Sequence, residues 1–250
     1  MGLNDENMVG IIGETTTKEC INLTYLLDTS GSMVGQKINQ LNVAMSEAVQ
    51  TVEEEAISRE DIKILMRVIE FNSTAHWLIG DAENGVEHID WQDLSARGGT
   101  NTAGAIRLTT DIMHTRILGT RNYQPVVILI TDGESNDYQE TINAAQELKA
   151  SLQSKSDPSK DKIIRVAIGV ENANRAELEA FASKGNIEHA DGTVEENVPL
   201  VFEIDDINQI RSVLKSVTIS SIVSSAQGGT AGSAAATIQA DQDDPNGWRI

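Results

Sequence analysis

LTYLLDTSGSMVG, residues 23–35, decides how this chain folds. It runs from an apolar segment straight into two hydroxyls and a carboxylate gathered around Gly31. The apolar part belongs to INLTYLLD (residues 21–28), a short run rich in strand formers, the pattern of a strand covered on both faces. The polar part admits two readings: a turn with a helix cap, or half of a metal site. Asp28, Ser30 and Ser32 alternate, and side chains two apart in an extended segment project to the same side. Gly31 lets the backbone bend so that both hydroxyls turn inward. The metal reading requires other loops to supply the remaining oxygens.

Working outward, residues 35–56 place Ile38, Leu41, Ala44, Met45, Ala48, Val49 and Val52 at helical spacing. Residues 62–71 read as a second strand and residues 74–80 as a third. Only Asn72 and Ser73 separate them, so a hairpin puts the third strand antiparallel at an edge. GGTNTAGAIRLTTDIMHTRIL (residues 98–118) opens a helix on a glycine pair, with Thr102 as the expected N-cap. PVVILI (residues 125–130) is another buried strand and ends in TDGES. A helix over 138–153, a polar loop around Pro158, a strand over 163–170 and a helix over 175–183 follow. Residues 198–204 give a last short strand and 205–222 a final helix.

This alternation predicts an α/β fold: a doubly wound, Rossmann-like, mainly parallel sheet with one antiparallel edge strand and helices on both faces. The expected organisation is an N-terminal extension over 1–19, one domain over 20–223, and a flexible low-complexity tail over 224–250. The last residues, PNGWRI, read alternatively as a docking peptide anchored by Trp248 and Ile250.

Composition narrows the function. A chain of 250 residues with a formal charge of −19 disfavours nucleic acid and anionic membranes, and favours cations and basic protein surfaces. No apolar run reaches the length of a membrane span, and no secretory signal is visible at the start. The lone Cys20 forms no intrachain disulfide and reads as a small buried hydrophobe, so a cytoplasmic location is expected.

DTSGS and TDGES both leave the carboxyl ends of buried strands, where ligands bind in doubly wound sheets at the point of strand-order reversal. GGTNT, at a helix start, is a third loop able to reach the same crevice. Asp28, Ser30, Ser32, Thr100 and Asp132 therefore converge from three loops. All five offer oxygen, which suits a hard divalent cation and not zinc. Glu134, Asn136 and Asp137 either shape the rim or form a solvated loop. His76, His88, His114 and His189 lack metal-ligand spacing, and GGTNTAG lacks the Gly-Lys-Ser/Thr ending of a phosphate loop.

The set D-x-S-x-S, a later G-G-T-x-T and a still later T-D-G resembles the metal-ion-dependent adhesion site of von Willebrand factor A domains. The resemblance spans roughly residues 20–220 and includes VAIGVENANRAELEAFAS. It implies that Ser30 and Ser32 bind the metal directly and Thr100 directly or through water. Asp28 and Asp132 then act largely through water or by orienting the hydroxyls. Mg²⁺ is the implied ion, with Mn²⁺ or Ca²⁺ as alternatives. Neutral hydroxyls leave the cation incompletely neutralised, with one position open to a Glu or Asp of a partner protein.

Within the family, DTSGSMVGQKI and ITDGES resemble the bacterial TerY-like proteins linked with tellurium resistance. That likeness implies an adaptor working with a PP2C-type phosphatase and a Ser/Thr kinase in a stress or defence response. The alternative is a partner of a MoxR-type AAA+ ATPase. A Mg²⁺-dependent phosphohydrolase with Asp28 as nucleophile is the enzymatic reading. It is disfavoured because DTSGS lacks a second carboxylate and no Lys or Arg lies in these loops, Arg97 being the nearest. The expectation is a non-enzymatic module.

Overall fold

The computed structural model describes residues 19–59, 61–114, 123–152, 162–189, 191–228 and 236–239. Its main sheet holds six strands in the order β3-β2-β1-β4-β5-β8. These are β1 (Glu19–Asp28), β2 (Ile62–Phe71), β3 (Ala75–Ile79), β4 (Val126–Thr131), β5 (Ile164–Val170) and β8 (Val201–Ile204). All neighbours pair in parallel except β2 and β3, which pair antiparallel at the edge. The expected doubly wound sheet and its antiparallel edge are both present. The hairpin turn takes three residues, 72–74, and Asn72 N donates to Thr74 O across it.

The apolar runs explain the layering. Every residue of β1 from Ile21 to Asp28 is buried, and alternate side chains go to opposite faces. Ile21, Leu23, Tyr25 and Leu27 join Val126, Ile128 and Ile130 of β4 in one apolar layer. That layer is closed by α1 (Gln36–Ser58) and α5 (Ile210–Gly228), through Leu41, Met45, Val49, Val213, Leu214 and Val217. Leu26, Val127 and Leu129 face the other way, against α2 (Thr102–His114), α3 (Tyr138–Leu152) and α4 (Arg175–Phe181). Helices thus cover both faces. Each fully buried Leu, Ile or Val contributes about 1.5–3 kcal/mol.

Strand order runs outward in one direction from β1 through β2 and in the other from β4 through β5. The reversal therefore lies between β1 and β4, as expected, and the residues leaving these two strands share one crevice.

Three expectations are corrected. Thr102 is the first helical residue of α2, not its cap: Asn101 Oδ1 accepts from Gly104 N at 2.9 Å and does the capping. The single strand expected over 198–204 is divided: Val201–Ile204 is β8 of the main sheet, whereas β7 (Val194–Pro199) belongs to a second sheet in which β6 (Lys184–Glu188) lies between β7 and β9 (Thr237–Gln239). Finally, Ser224 lies inside α5 and does not begin a tail. Its hydroxyl donates to Thr237 O at 2.7 Å, Ser225 Oγ donates to Gln124 O at 2.6 Å, and Ile238 is fully buried. Hydroxyl bonds do there what apolar periodicity does elsewhere, so hydropathy gives no sign of it. The expectations for residues 1–18, for Pro158 and for Trp248 and Ile250 lie outside the described residues.

Candidate metal centre

Asp28 is the last residue of β1 and is fully buried. Both of its oxygens are engaged: Oδ1 accepts from Ser30 N at 2.8 Å, and Oδ2 accepts from Thr131 Oγ1 at 2.6 Å across the β1–β4 boundary. Burial pushes its carboxyl above the usual range, against the hydrogen bonds from Thr131 and Ser30 that pull it down; the charge of Asp132 adds to the rise. This geometry makes Asp28 the brace of the loop that follows it.

That loop turns at once into a short 3₁₀ helix, Gly31–Met33, started by Met33 N donating to Ser30 O at 3.1 Å. Met33 is fully buried in the apolar layer under α1 and anchors the turn from below. Ser30 is 1% exposed, whereas Ser32 opens to solvent. Their hydroxyls lie 2.9 Å apart, and Ser32 Oγ donates to Asp132 Oδ1 at 2.7 Å. Asp28, Ser30, Ser32 and Asp132 are therefore joined in one hydrogen-bonded group.

Thr100 lies on the loop packed beside this group. Gly31 N donates to Gly98 O at 2.9 Å and Arg97 N to Thr29 O at 2.7 Å, which lays the GGTNT loop along DTSGS. A Cβ on Gly31 would stand 3.1 Å from Gly98 O, so glycine is what permits this approach. On its other side Thr100 is held by Asn136, which follows Asp132 in the third loop. Thr100 is 7% exposed, and its hydroxyl is not among the bonds joining the other four. Beside it a cavity of about 280 Å³ is lined by Thr102, Arg107, Asn136 and Glu140 among others. That is just below the range of about 300–1,000 Å³ for small-molecule sites.

Residues that the sequence did not single out complete the arrangement. Lys37, in the first turn of α1, donates to Asp132 Oδ2 at 2.7 Å and pairs with Glu171 Oε2 at 2.8 Å. No Lys or Arg lies in the loops themselves, but Lys37 of α1 folds back onto them from five residues beyond Ser32. Burial pulls its pKa down, but the hydrogen bonds and charges of Asp132 and Glu171 outweigh this and hold it above the usual lysine range. Glu171 makes its contact from a left-handed backbone, φ +54°, in the turn after β5. Glu177 of α4 accepts from Ser135 Oγ at 2.6 Å and from Ser135 N at 3.2 Å, which steadies the loop carrying Asp132. Asn136, left open between rim and solvated loop, ties that loop to Thr100.

Chemically, the group fits a hard divalent cation. Adjacent oxygens around an octahedral Mg²⁺ stand about 2.9 Å apart. The 2.9 Å between the Ser30 and Ser32 hydroxyls matches that spacing. Among the described residues no three His, Cys, Asp or Glu side chains gather as a metal-holding group, so a cation here would rest on hydroxyls as well as carboxylates.

Residues 22–216 match the von Willebrand factor type A domain family. The mouse collagen alpha-5(VI) chain is 28% identical over 181 residues, covering 69% of this chain and 6% of that protein. Among solved structures, proximal thread matrix protein 1 from the mussel byssus, with its adhesion-site motif occupied by zinc, aligns with a TM-score of 0.51 at 16% identity. The alignment covers 80% of this chain and 46% of that one. The pilus adhesin SpaC of Lactobacillus rhamnosus GG aligns with a TM-score of 0.58 at 13% identity, covering 81% and 30%. This chain thus spans well under two thirds of each of these proteins. With that match over most of its length, the chain belongs to the von Willebrand factor type A domain family.

Proposed function

We propose that this chain is a metal-dependent module that captures an acidic residue of a partner protein. The observation carrying this reading is the run of oxygens from Ser30 through Ser32 to Asp132, at 2.9 and 2.7 Å, with the loop of Thr100 bonded to that of the serines through Gly98 O and Gly31 N. Ser30 and Ser32 are the direct ligands and Thr100 binds directly or through water; Asp28 and Asp132 orient the hydroxyls or act through water. Mg²⁺ fits this set best, with Mn²⁺ and Ca²⁺ as the other candidates. A cation bound there supplies a Lewis-acidic position for a Glu or Asp carboxylate. Zinc, which fills the corresponding motif of the mussel protein, prefers nitrogen and sulfur that this set does not offer.

Asp28 is unsuited to nucleophilic attack, which argues against a phosphohydrolase. It is fully buried and both of its oxygens already accept hydrogen bonds. Lys37, the cation nearest the group, is engaged by two carboxylates. We read the module as non-enzymatic.

DTSGSMVGQKI and ITDGES further support a TerY-like adaptor acting in the cytoplasm with a PP2C-type phosphatase and a Ser/Thr kinase. Service to a MoxR-type AAA+ ATPase is the alternative within that class. A second reading, an adhesive module outside the cell, draws on the collagen chain and the pilus adhesin among the similar proteins. Among the described residues no helix is long and apolar enough to cross a membrane. Affinity purification with Mg²⁺ and again with excess EDTA tests the proposal. Partners retained with Mg²⁺ and released by EDTA support it; a partner set indifferent to chelation contradicts it.

A further inference from the structure

We propose that Lys37 is a positioning residue of the metal centre, which keeps one oxygen of Asp132 occupied so that a bound cation retains an open, weakly neutralised face. The inference rests on the metal-bridge reading above and deepens it. Asp132 is 3% exposed and its two oxygens have separate partners: Oδ1 accepts from Ser32 Oγ at 2.7 Å, Oδ2 from Lys37 Nζ at 2.7 Å. A carboxylate held in this way orients the Ser32 hydroxyl and is restrained from swinging in as a charged ligand. Direct ligation by Asp132 would cancel charge on the cation and fill a position that an incoming carboxylate needs.

The restraint is built from three elements. Lys37 stands in the first turn of α1, Asp132 follows β4, and Glu171 follows β5. Glu171 takes the same ammonium at 2.8 Å, while its own N–H donates to Ile204 O at 2.7 Å at the end of β8. The lysine side chain is only 18% exposed, so solvent screens the contact incompletely. Glu171 offsets part of the lysine charge; without it the ammonium would repel the divalent cation more strongly. Lys37 and Glu171 therefore act on metal affinity in opposite directions.

Calorimetric Mg²⁺ titration of the full chain, with thermal melting as the folding control, reads these effects. Lys37→Met is expected to bind Mg²⁺ about tenfold more tightly, since a charge opposing the cation is gone and Asp132 is free to ligate. In the same variant loaded with Mn²⁺, acetate is expected to displace bound water less readily, read by water-proton relaxation. Lys37→Arg keeps both readouts near wild type. Glu171→Gln weakens Mg²⁺ binding several-fold, on the order expected for one partly screened charge. Weaker or unchanged Mg²⁺ binding by a normally melting Lys37→Met overturns the proposal, as does tighter binding by Glu171→Gln. A wild-type chain that binds no Mg²⁺ overturns the metal reading itself together with this one.

Discussion

Thr100 and Asn136 grip one another twice: Asn136 N donates to Thr100 O at 2.8 Å, and Thr100 N donates to Asn136 Oδ1 at 3.0 Å. Two loops are locked together by this exchange, and Thr100 is placed by a residue on a different segment. Asn136→Ala leaves the Thr100 N–H without its side-chain acceptor, a loss of about 1–3 kcal/mol for a buried donor. The expected outcome is a lower melting temperature and a smaller rise in it on adding Mg²⁺, measured by differential scanning fluorimetry.

Gly99 reports on the same junction. A Cβ there would stand 2.5 Å from Asn136 Nδ2, so alanine must push aside the amide that holds Thr100. Gly99→Ala should therefore lose about as much stability as Asn136→Ala, within about 1–3 kcal/mol. Because both act on one contact, the double variant should fall clearly short of the sum of the two. Denaturant unfolding of the three variants checks this.

Capping supplies a third prediction. Asn101→Ala removes the acceptor of Gly104 N at the start of α2 and should cost about 1 kcal/mol. Thr102→Ala, which removes a buried hydroxyl with no hydrogen-bond partner, should cost less. The order of the two in urea unfolding distinguishes the observed cap from the expected one.

The fourth prediction concerns pH. Burial pushes the Glu177 carboxyl above its ordinary range, although hydrogen bonds from Ser135 pull the other way. The folded protein then binds the proton more tightly than the unfolded chain. Its contribution to stability is fully present below the unfolded value of about 4.3 and is lost as pH rises through the folded value. Relative to Glu177→Gln, the wild type should lose stability as pH is raised from 4 to 7, with the difference levelling once Glu177 is ionised. Urea midpoints of both proteins across that range measure it.

The fold was legible because β1 and β4 are continuous apolar runs that end in polar loops, and because two residues between 71 and 74 are too few for anything but a hairpin. The site loops follow from those strand ends. Local periodicity could not reveal Lys37–Asp132–Glu171, since Glu171 meets the site only through the pairing of β5 beside β4. The second sheet was equally hidden. KGNIE and TIQ are too short for their alternation to stand out, and β9 is held partly by Ser220 and Ser224 of α5. Thr102 and Asn101 are both residue types that cap well, and the bond from Gly104 decides for Asn101.

Mg²⁺ titration of the wild type beside Ser30→Ala combined with Ser32→Ala is the most direct test of the account. One saturable site in the wild type, lost in a double variant that keeps its circular dichroism spectrum, is the predicted result. Equal Mg²⁺ binding by the two proteins would mean that the hydroxyls of β1's loop hold no cation, and the proposed capture of acidic partners would lose its basis.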